Sequence, residues 1–434
     1  MTHATRRRFL SDGFAAGLGL GFARPADLFA AAATRRAAKA EAVIHIHLEG
    51  GLSHLDTFDP TPDAPLAIRG PFGSLKSKLA GEPFGELVPK LAAVGDRLTV
   101  VRSFTHTEAD HDRGQHSVLT GYAPSPAIEY PSLGAVVAHE LGGRNQLPAY
   151  VCVPSVGRFF GTGYLSSAFA PFAVGGNPVA RDFAVRDLAL PKDVDAARLG
   201  RRRALQQRLD AHFEALGDAD AVRAIESYYQ QAYALIDSPT ARAAFDLAAE
   251  PESQKERYGR RPLGMGCLLA RRLVAAGVRY VAVPRGGFDH HSQLVNNLPT
   301  AMADVDQALA ALVDDLAGSG LLATTAVLLT TEFGRTPRLN ADAGRDHWCK
   351  VFSVVLAGGG FRAGAVVGAS NAAGAEPAAD PGRPADHAAT AGAGLPPDRP
   401  RPRGPSAAGA ARMSLGAAWA VAEAARAHPA APRL

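Results

Sequence analysis

The stretch AVIHIHLEGG, residues 42–51, decides how the fold is interpreted. Its first seven residues have the composition of a β-strand, and they run directly into Glu49, Gly50 and Gly51. A strand that ends in a glycine turn is typical of the first strand of an α/β sheet, which carries functional groups at its carboxyl end. The polar residues that follow are therefore candidates for a functional site.

The rest of the chain extends this pattern. Apolar segments predict further strands and helices. The predicted strands are 98–102, 149–153, 278–284, 325–331 and 351–357, and the predicted helices are 264–276 and 298–316. Because strands and helices alternate in the second half, the sequence predicts an α/β fold with a doubly wound, mostly parallel sheet. Residues 195–260, rich in Arg, Gln and Ala at helical spacing, are predicted to be a helical insertion.

Composition restricts the class of protein. The 434 residues are 47% hydrophobic and 20% charged, which is typical of a globular domain. The net charge of +4 comes from scattered arginines and does not indicate nucleic-acid binding. Three well-separated cysteines argue against a disulfide scaffold and are interpreted as small buried thiols.

The two ends of the chain differ from its middle. TRRRFL at 5–10 matches a twin-arginine export motif, and it is followed by a short Gly/Ala-rich segment and by alanines at 30–33. Residues 1–33 are therefore predicted to be a twin-arginine signal peptide, which directs the protein to the periplasm or cell surface. The apolar core is shorter than the roughly 20 residues of a membrane span, so no span is expected in the mature chain. Residues 371–434 are rich in Ala, Pro and Arg and predict a disordered or eroded tail, behind a domain over 40–370.

Four segments concentrate the side chains that could do chemistry. They are 50–59, 106–116, 286–291, and 331–336 continued by 344–348. With the first strand they hold nine of the 14 histidines, and histidines and carboxylates are the ligands that zinc and similar ions prefer. Because the segments follow predicted strands, they indicate a divalent metal site. His45 and His47 lie inside the first strand and are interpreted as packed or paired there.

Several motifs in this order carry a family resemblance. They are GGLSHLDTFDP (50–60), RGPF (69–72), LTG (119–121), YPSLGAVV (130–137), GGFDHH (286–291) and TEFGRTP (331–337). Over about 40–370 the chain resembles the domain-of-unknown-function 1501 family of exported bacterial proteins. That family is grouped with the alkaline phosphatase and sulfatase superfamily, and the resemblance implies a fold of that type with a divalent metal site.

The resemblance also implies roles for individual residues. The nucleophile position, nine residues before Thr120, falls on His111, which leaves a metal ligand, a nucleophile or a site without turnover as alternatives. Asp289 and His291 match the ligands that follow a middle strand of the sheet, and Glu332 replaces a superfamily Asp. His347 resembles the last His ligand, and Asp346 lies beside it. Asp56 is chosen as the carboxylate after the first strand.

The leading hypothesis is an exported hydrolase that acts on phosphate or sulfate esters of a small molecule or a polysaccharide. A divalent metal, zinc or calcium, would be held by the following residues: Asp56, His111, Asp289, His291, Glu332, Asp346 and His347. With His111, Arg335 or Arg113 would act at the reacting centre by binding the anionic group, although Arg335 could instead be a structural partner of a carboxylate. The main alternative is a non-catalytic surface or periplasmic binding protein that retains the fold. An inactive product of a damaged gene is a third interpretation, because of the tail.

Overall fold

The strand predicted from residues 42–48 lies in the middle of an eight-stranded sheet. In this computed structural model, the residues described are 40–79, 81–185, 197–202, 204–205, 208, 233 and 235–378. The predicted signal peptide, 186–196, most of 203–234 and the tail beyond 378 lie outside them.

The strands and helices have the following bounds. The strands are β1 (Ala42–Leu48), β2 (Ser74–Lys76), β3 (Pro83–Gly85), β4 (Leu98–Phe104), β5 (Tyr150–Cys152), β6 (Phe172–Ala173), β7 (Tyr280–Arg285), β8 (Thr325–Thr331), β9 (Gly334–Arg335), β10 (His347–Trp348), β11 (Phe352–Gly358) and β12 (Ala365–Val367). The α-helices are α1 (Leu66–Arg69), α2 (Pro89–Ala93), α3 (His111–Thr120), α4 (Leu133–Leu141), α5 (Pro239–Phe245), α6 (Glu252–Tyr258), α7 (Pro262–Ala276) and α8 (Leu294–Gly318). Short 3-10 helices occupy Gly95–Arg97, Ser167–Phe169, Leu247–Ala249 and Leu321–Ala323.

The order of strands in the large sheet is β12-β4-β11-β8-β1-β7-β5-β6. β1 pairs in parallel with β7 and β8, and β5 pairs in parallel with β6 and β7. This confirms the predicted α/β class with a mostly parallel sheet. β2 with β3 and β9 with β10 form two small antiparallel pairs outside it.

β11 departs from the alternation that the sequence suggested, because it runs antiparallel to both β8 and β4. A strand that runs parallel to β8 would need a crossover connection that returns the chain to the end of the sheet where β8 begins. Between β8 and β11 the chain instead forms the β9–β10 pair. The chain therefore enters β11 at the same end of the sheet where β8 stops. As a result, the 344–348 segment lies beside the 331–336 segment.

Two apolar clusters cover the two faces of the sheet. On one face, Ile44, Ile46 and Leu48 of β1 pack in the same cluster as the buried stripes of α7 and α8. On the other face, Val43 packs in a cluster with residues of α3 and α4. The helices predicted at 264–276 and 298–316 are present as α7 and α8, each somewhat longer than predicted.

The predicted helical insertion is described in part. Residues 197–202 are helical, and α5 and α6 lie within the predicted 195–260 range. Among the described residues no helix is long and apolar enough to cross a membrane.

The described chain continues past the predicted domain end at 370. Trp348 Nε1 donates to the carbonyl of Ala375 at 2.6 Å, and His54 Nε2 lies 2.9 Å from the carbonyl of Gly374. Residues 371–378 therefore pack against segments that carry candidate site residues.

Candidate metal centre

Three side chains from separate segments meet at the carboxyl edge of the sheet. His111 is the first residue of α3, Asp289 lies in the loop after β7, and His347 begins β10. One ligand atom from each lies within 4.8 Å of the others. His291 adjoins them, with its Nε2 3.0 Å from Asp289 Oδ1 and 2.9 Å from His347 Nε2. These four residues are called the metal centre below.

Local backbone features bring these residues close together. Asp110 caps α3 by accepting a hydrogen bond from the backbone N–H of Arg113 at 3.1 Å, which fixes the helix start that carries His111. Gly50 has a φ of +118°, and a Cβ there would lie 2.4 Å from the backbone nitrogen of Asp289. Only glycine allows the loop after β1 to approach the loop after β7 so closely.

The outer nitrogen of each imidazole has an acceptor. Nδ1 of His111 lies 2.7 Å from Glu332 Oε1, and Nδ1 of His291 lies 2.8 Å from Asp346 Oδ1. Nδ1 of His347 lies 2.8 Å from the carbonyl oxygen of Ala109. Metal-binding histidines are typically held in this way, because the acceptor fixes the ring and leaves Nε2 as the ligand atom.

The inner nitrogens point at Asp289. Nε2 of His111, His291 and His347 lie 3.3, 3.0 and 3.3 Å from its carboxylate oxygens. Nε2 of His111 is buried and has no hydrogen-bond partner. Nε2 of His291 lies 2.9 Å from Nε2 of His347, and because Nδ1 of each ring faces an acceptor, this contact needs either a proton or a metal ion between the two nitrogens. His111, Asp289 and His347 therefore fit a divalent metal ion, and His291 lies beside this group.

Neighbouring charges and hydrogen bonds keep Asp289 of the metal centre and the adjacent Glu332 ionised. Burial raises the pKa of Asp289, but a hydrogen bond from Arg335 and the charges of Arg335, His111 and His291 outweigh it and lower the pKa to about 2. Burial likewise opposes ionisation of Glu332, yet the hydrogen bond with His111 and its other polar contacts keep its pKa below the usual value. The same hydrogen bond raises the pKa of His111, whereas burial lowers the pKa of His347.

Glu332 and Asp346 hold histidines. Glu332 is fully buried, lies against His111 and accepts the backbone N–H of Gly50 at 2.7 Å. Asp346 faces His291 Nδ1, the nitrogen turned away from the other ligand atoms. The sequence placed both among the ligands, whereas the structure places them behind His111 and His291.

Asp56 lies outside the metal centre, contrary to the sequence prediction. Arg345 donates to both of its carboxylate oxygens at 2.8 and 3.2 Å, and both side chains are fully buried. Ser53 donates a further hydrogen bond to Asp56. With its oxygens occupied in this buried ion pair, Asp56 supports the structure of the loop after β1.

Arg335 is also structural. Its guanidinium is buried and donates to the carbonyls of Gly50, Gly51 and Arg345 and to the carboxylate of Asp289. This matches the alternative that it is a carboxylate partner, and it leaves the group without a free edge for an anion. Arg113 donates to Glu108, with its side chain 55% exposed. The prediction that either arginine binds the anion is therefore not supported by their contacts.

Two contacts around the metal centre could not be recognised from the sequence. The carbonyl of Ala109 fixes His347, but a backbone acceptor has no residue signature. Arg345 lies in a segment that the sequence singled out, yet its partner Asp56 is 289 residues away along the chain. The only available signal was an arginine next to Asp346 and His347.

Comparisons with known proteins give a family and distant structural likenesses. The model of the family described as "Protein of unknown function (DUF1501)" matches residues 40–399. No curated protein shows significant sequence similarity to the chain. The lipoteichoic acid synthase LtaP from Listeria monocytogenes is similar in structure at 10% identity and a TM-score of 0.36, with 76% of this chain and 68% of that chain covered. The PsFucS1 sulfatase from Pseudoalteromonas sp. is similar at 12% identity and a TM-score of 0.35, with 80% and 70% covered. Likenesses this distant assign no function.

Proposed function

Since the chain belongs to the DUF1501 family, whose description gives no activity, the function has to be inferred from the metal centre, and we propose an exported, metal-dependent hydrolase of phosphate or sulfate esters. The single observation that carries the proposal is the convergence of three imidazole Nε2 atoms on the carboxylate of Asp289.

The donor set favours zinc over calcium. Three imidazole nitrogens and one carboxylate are ligands that zinc accepts, whereas calcium takes six to eight oxygen ligands. The named ligands are His111, Asp289, His291 and His347. When bound, a divalent ion at this place supplies Lewis acidity toward an ester oxygen.

The chain's own residues position and open the centre. Glu332, Asp346 and the carbonyl of Ala109 hold the three rings with Nε2 inward. Asp289 and His291 are 46% and 45% exposed, so a substrate can reach the ligand side from solvent. Catalytic metal sites keep such an open side, whereas structural sites are closed.

Export is the second part of the proposal. The TRRRFL motif at residues 5–10 supports passage through the twin-arginine pathway to the periplasm or cell surface. An ester-bearing polysaccharide or small molecule met there would be the substrate.

A non-catalytic binding protein is the second candidate, and one observation favours it. His111 stands at the position where the family resemblance implies a hydroxyl nucleophile. Within the described residues, no Ser or Thr hydroxyl makes a hydrogen bond to His111, Asp289 or His347. Such a protein would keep the metal centre without turning over an ester.

Metal content of the purified full-length protein tests the proposal. The wild type is compared with the double variant Asp289→Ala/His347→Ala and with the control His139→Ala/Asp96→Ala, which removes an exposed His and Asp elsewhere on the domain. We expect about one zinc ion per chain in the wild type and the control, and none in the first variant.

Ester hydrolysis then separates the two candidate functions. Turnover of aryl phosphate or aryl sulfate that is lost with the metal supports the hydrolase. Stoichiometric metal without turnover of any ester supports the binding protein instead. A folded wild type that holds no metal after growth with zinc contradicts both uses of the centre.

A further inference from the structure

An open groove begins beside the metal centre, on the far side of the loop that carries Asp289. Its first part is a cavity of about 460 Å³, and its lining includes Arg261, Arg285, His290, Asn296, Asn297 and Asp304. Gly287 and His290 belong to the same loop as the ligands Asp289 and His291. The groove and the metal centre therefore share one wall.

A second cavity, of about 300 Å³, continues the first. Both are lined by Arg261 and Asp304, and the second extends to Arg260 and Gln307. The two cavities follow α8 from Asn296 to Gln307, which at 1.5 Å per residue is roughly 17 Å. Such a length accommodates an extended chain molecule.

Hydrogen-bond donors predominate in the groove. Within the described part of the chain, the guanidinium groups of Arg261 and Arg285 make no hydrogen bond to the protein, and Arg285 Nε lies 3.9 Å from Asp304 Oδ2. Asp304 is only 5% exposed, and its burial raises its pKa. The lining of the two cavities carries three arginines, Arg260, Arg261 and Arg285, against two carboxylates, the buried Asp304 and the exposed Glu256, which leaves one net positive charge for a ligand.

Two helix N-termini strengthen this positive field. α7 begins at Pro262 directly after Arg261, and α8 begins at Leu294, two residues before Asn296. Neither helix has a side-chain hydrogen bond that caps its first turn. The N-terminal ends of both helix dipoles therefore favour an anion in the groove.

The remaining lining identifies the kind of anion. Asn296, Asn297, Thr300 and Gln307 offer amide and hydroxyl groups, which pair with the hydroxyl groups of a sugar. Apart from the imidazole of His290, the lining has no aromatic ring on which a nucleobase could stack.

We propose that this groove binds a linear glycan substituted with sulfate or phosphate groups, whose oxyanions contact Arg261 and Arg285. That the bound glycan is also the substrate rests on the proposed function. Binding itself requires only the groove. The metal centre has no free arginine for an anionic polymer, whereas the adjacent groove has Arg261 and Arg285.

Calorimetric titration of the full chain tests this proposal. The probes are a heparin-derived hexasaccharide, a phosphorylated mannan oligosaccharide and the chemically desulfated hexasaccharide. Arg261→Gln/Arg285→Gln is compared with Arg144→Gln/Arg362→Gln, which removes two positive charges from segments beside Gly277 and Thr99, near the starts of β7 and β4. We expect the groove variant to bind roughly tenfold more weakly for each arginine removed, because each supplies charge-assisted hydrogen bonds.

The outcomes separate the proposal from its rivals. Binding of either charged probe, lost in the groove variant and kept in the control, supports the groove. Equal binding by the desulfated probe, equal weakening in both variants, or no binding of either charged probe overturns it. Metal content measured on the same samples keeps the proposed function separate, because the groove variant leaves all four ligands in place.

Discussion

The metal centre and the histidine pair of β1 use the same residue type for opposite purposes. His45 and His47 are fully buried on one face of the sheet, where His45 lies 2.6 Å from Tyr280 Oη and 2.7 Å from Thr330 Oγ1. His47 Nδ1 shares Thr330 at 2.9 Å. Their partners are hydroxyl groups, and burial lowers their pKa values to about 3 and about 4.

The histidines of the metal centre have different partners. Two have a carboxylate behind the ring and one a carbonyl, and their Nε2 atoms share a third carboxylate. The partner of Nδ1 therefore separates the two kinds of histidine. Hydroxyl partners in a dry environment accompany a neutral packed ring, whereas an acceptor behind the ring leaves Nε2 available to a metal ion.

The same comparison applies to carboxylates. Of the substitutions considered, we expect Asp56→Asn to have the largest effect, which is on stability. Asp56→Asn leaves the buried guanidinium of Arg345 without its counter-ion, so we expect the free energy of unfolding to fall by about 3–5 kcal/mol. Metal affinity of the folded protein should stay unchanged, because Asp56 contacts no ligand. Urea denaturation and zinc titration measure the two quantities.

The control for this variant is Asp63→Asn, an exposed carboxylate nearby in the chain, which should change neither quantity. If folded Asp56→Asn protein loses zinc, then Asp56 is a metal ligand, as the sequence predicts.

The β1 pair should make stability dependent on pH. Both histidines are neutral in the folded protein and bind protons near pH 6.5 when unfolded. The unfolded state therefore binds more protons between about pH 6.5 and 4, and stability is lost as the pH falls through this window. The loss should reach roughly 2 kcal/mol per histidine at pH 5, at about 1.4 kcal/mol per pH unit.

Urea denaturation at pH 7 and pH 5, with a chelator present to remove metal linkage, measures this loss. His45→Gln should reduce it by about half, while His139→Gln at an exposed site should not. An unchanged pH dependence in His45→Gln would mean that this ring is charged in the folded protein.

The substitution Asp346→Asn should have the smallest effect of those considered, and the effect is on metal affinity. Asp346→Asn keeps an acceptor for His291 but removes its charge, and substitution of such a partner lowers metal affinity by about tenfold at least. Competition with a chromogenic chelator measures the change. The matched control is Asp342→Asn, which changes an exposed carboxylate in the same loop. If both variants lose metal affinity equally, Asp346 does not hold His291 for metal binding.

Much of the fold could be predicted because its signals are local. β1 and β8 have the bounds that the sequence predicts, because both are short segments rich in β-forming residues. The direction of β11 could not be predicted from the sequence, because it depends on where the chain lies after β8.

The sequence by itself predicted that the segments around His111 and Asp289 meet at one edge, because the carboxyl ends of parallel strands lie on the same side of the sheet. That His347 joins them depends on the antiparallel direction of β11, which the tertiary structure decided. Only the tertiary structure decided which of the gathered groups face the centre and which lie behind it or outside it. Glu332 and Asp346 lie behind histidines, and Arg335 and Asp56 are used up in buried contacts. These roles depend on ångström-scale contacts between residues far apart in the chain, for which residue type and spacing carry no signal.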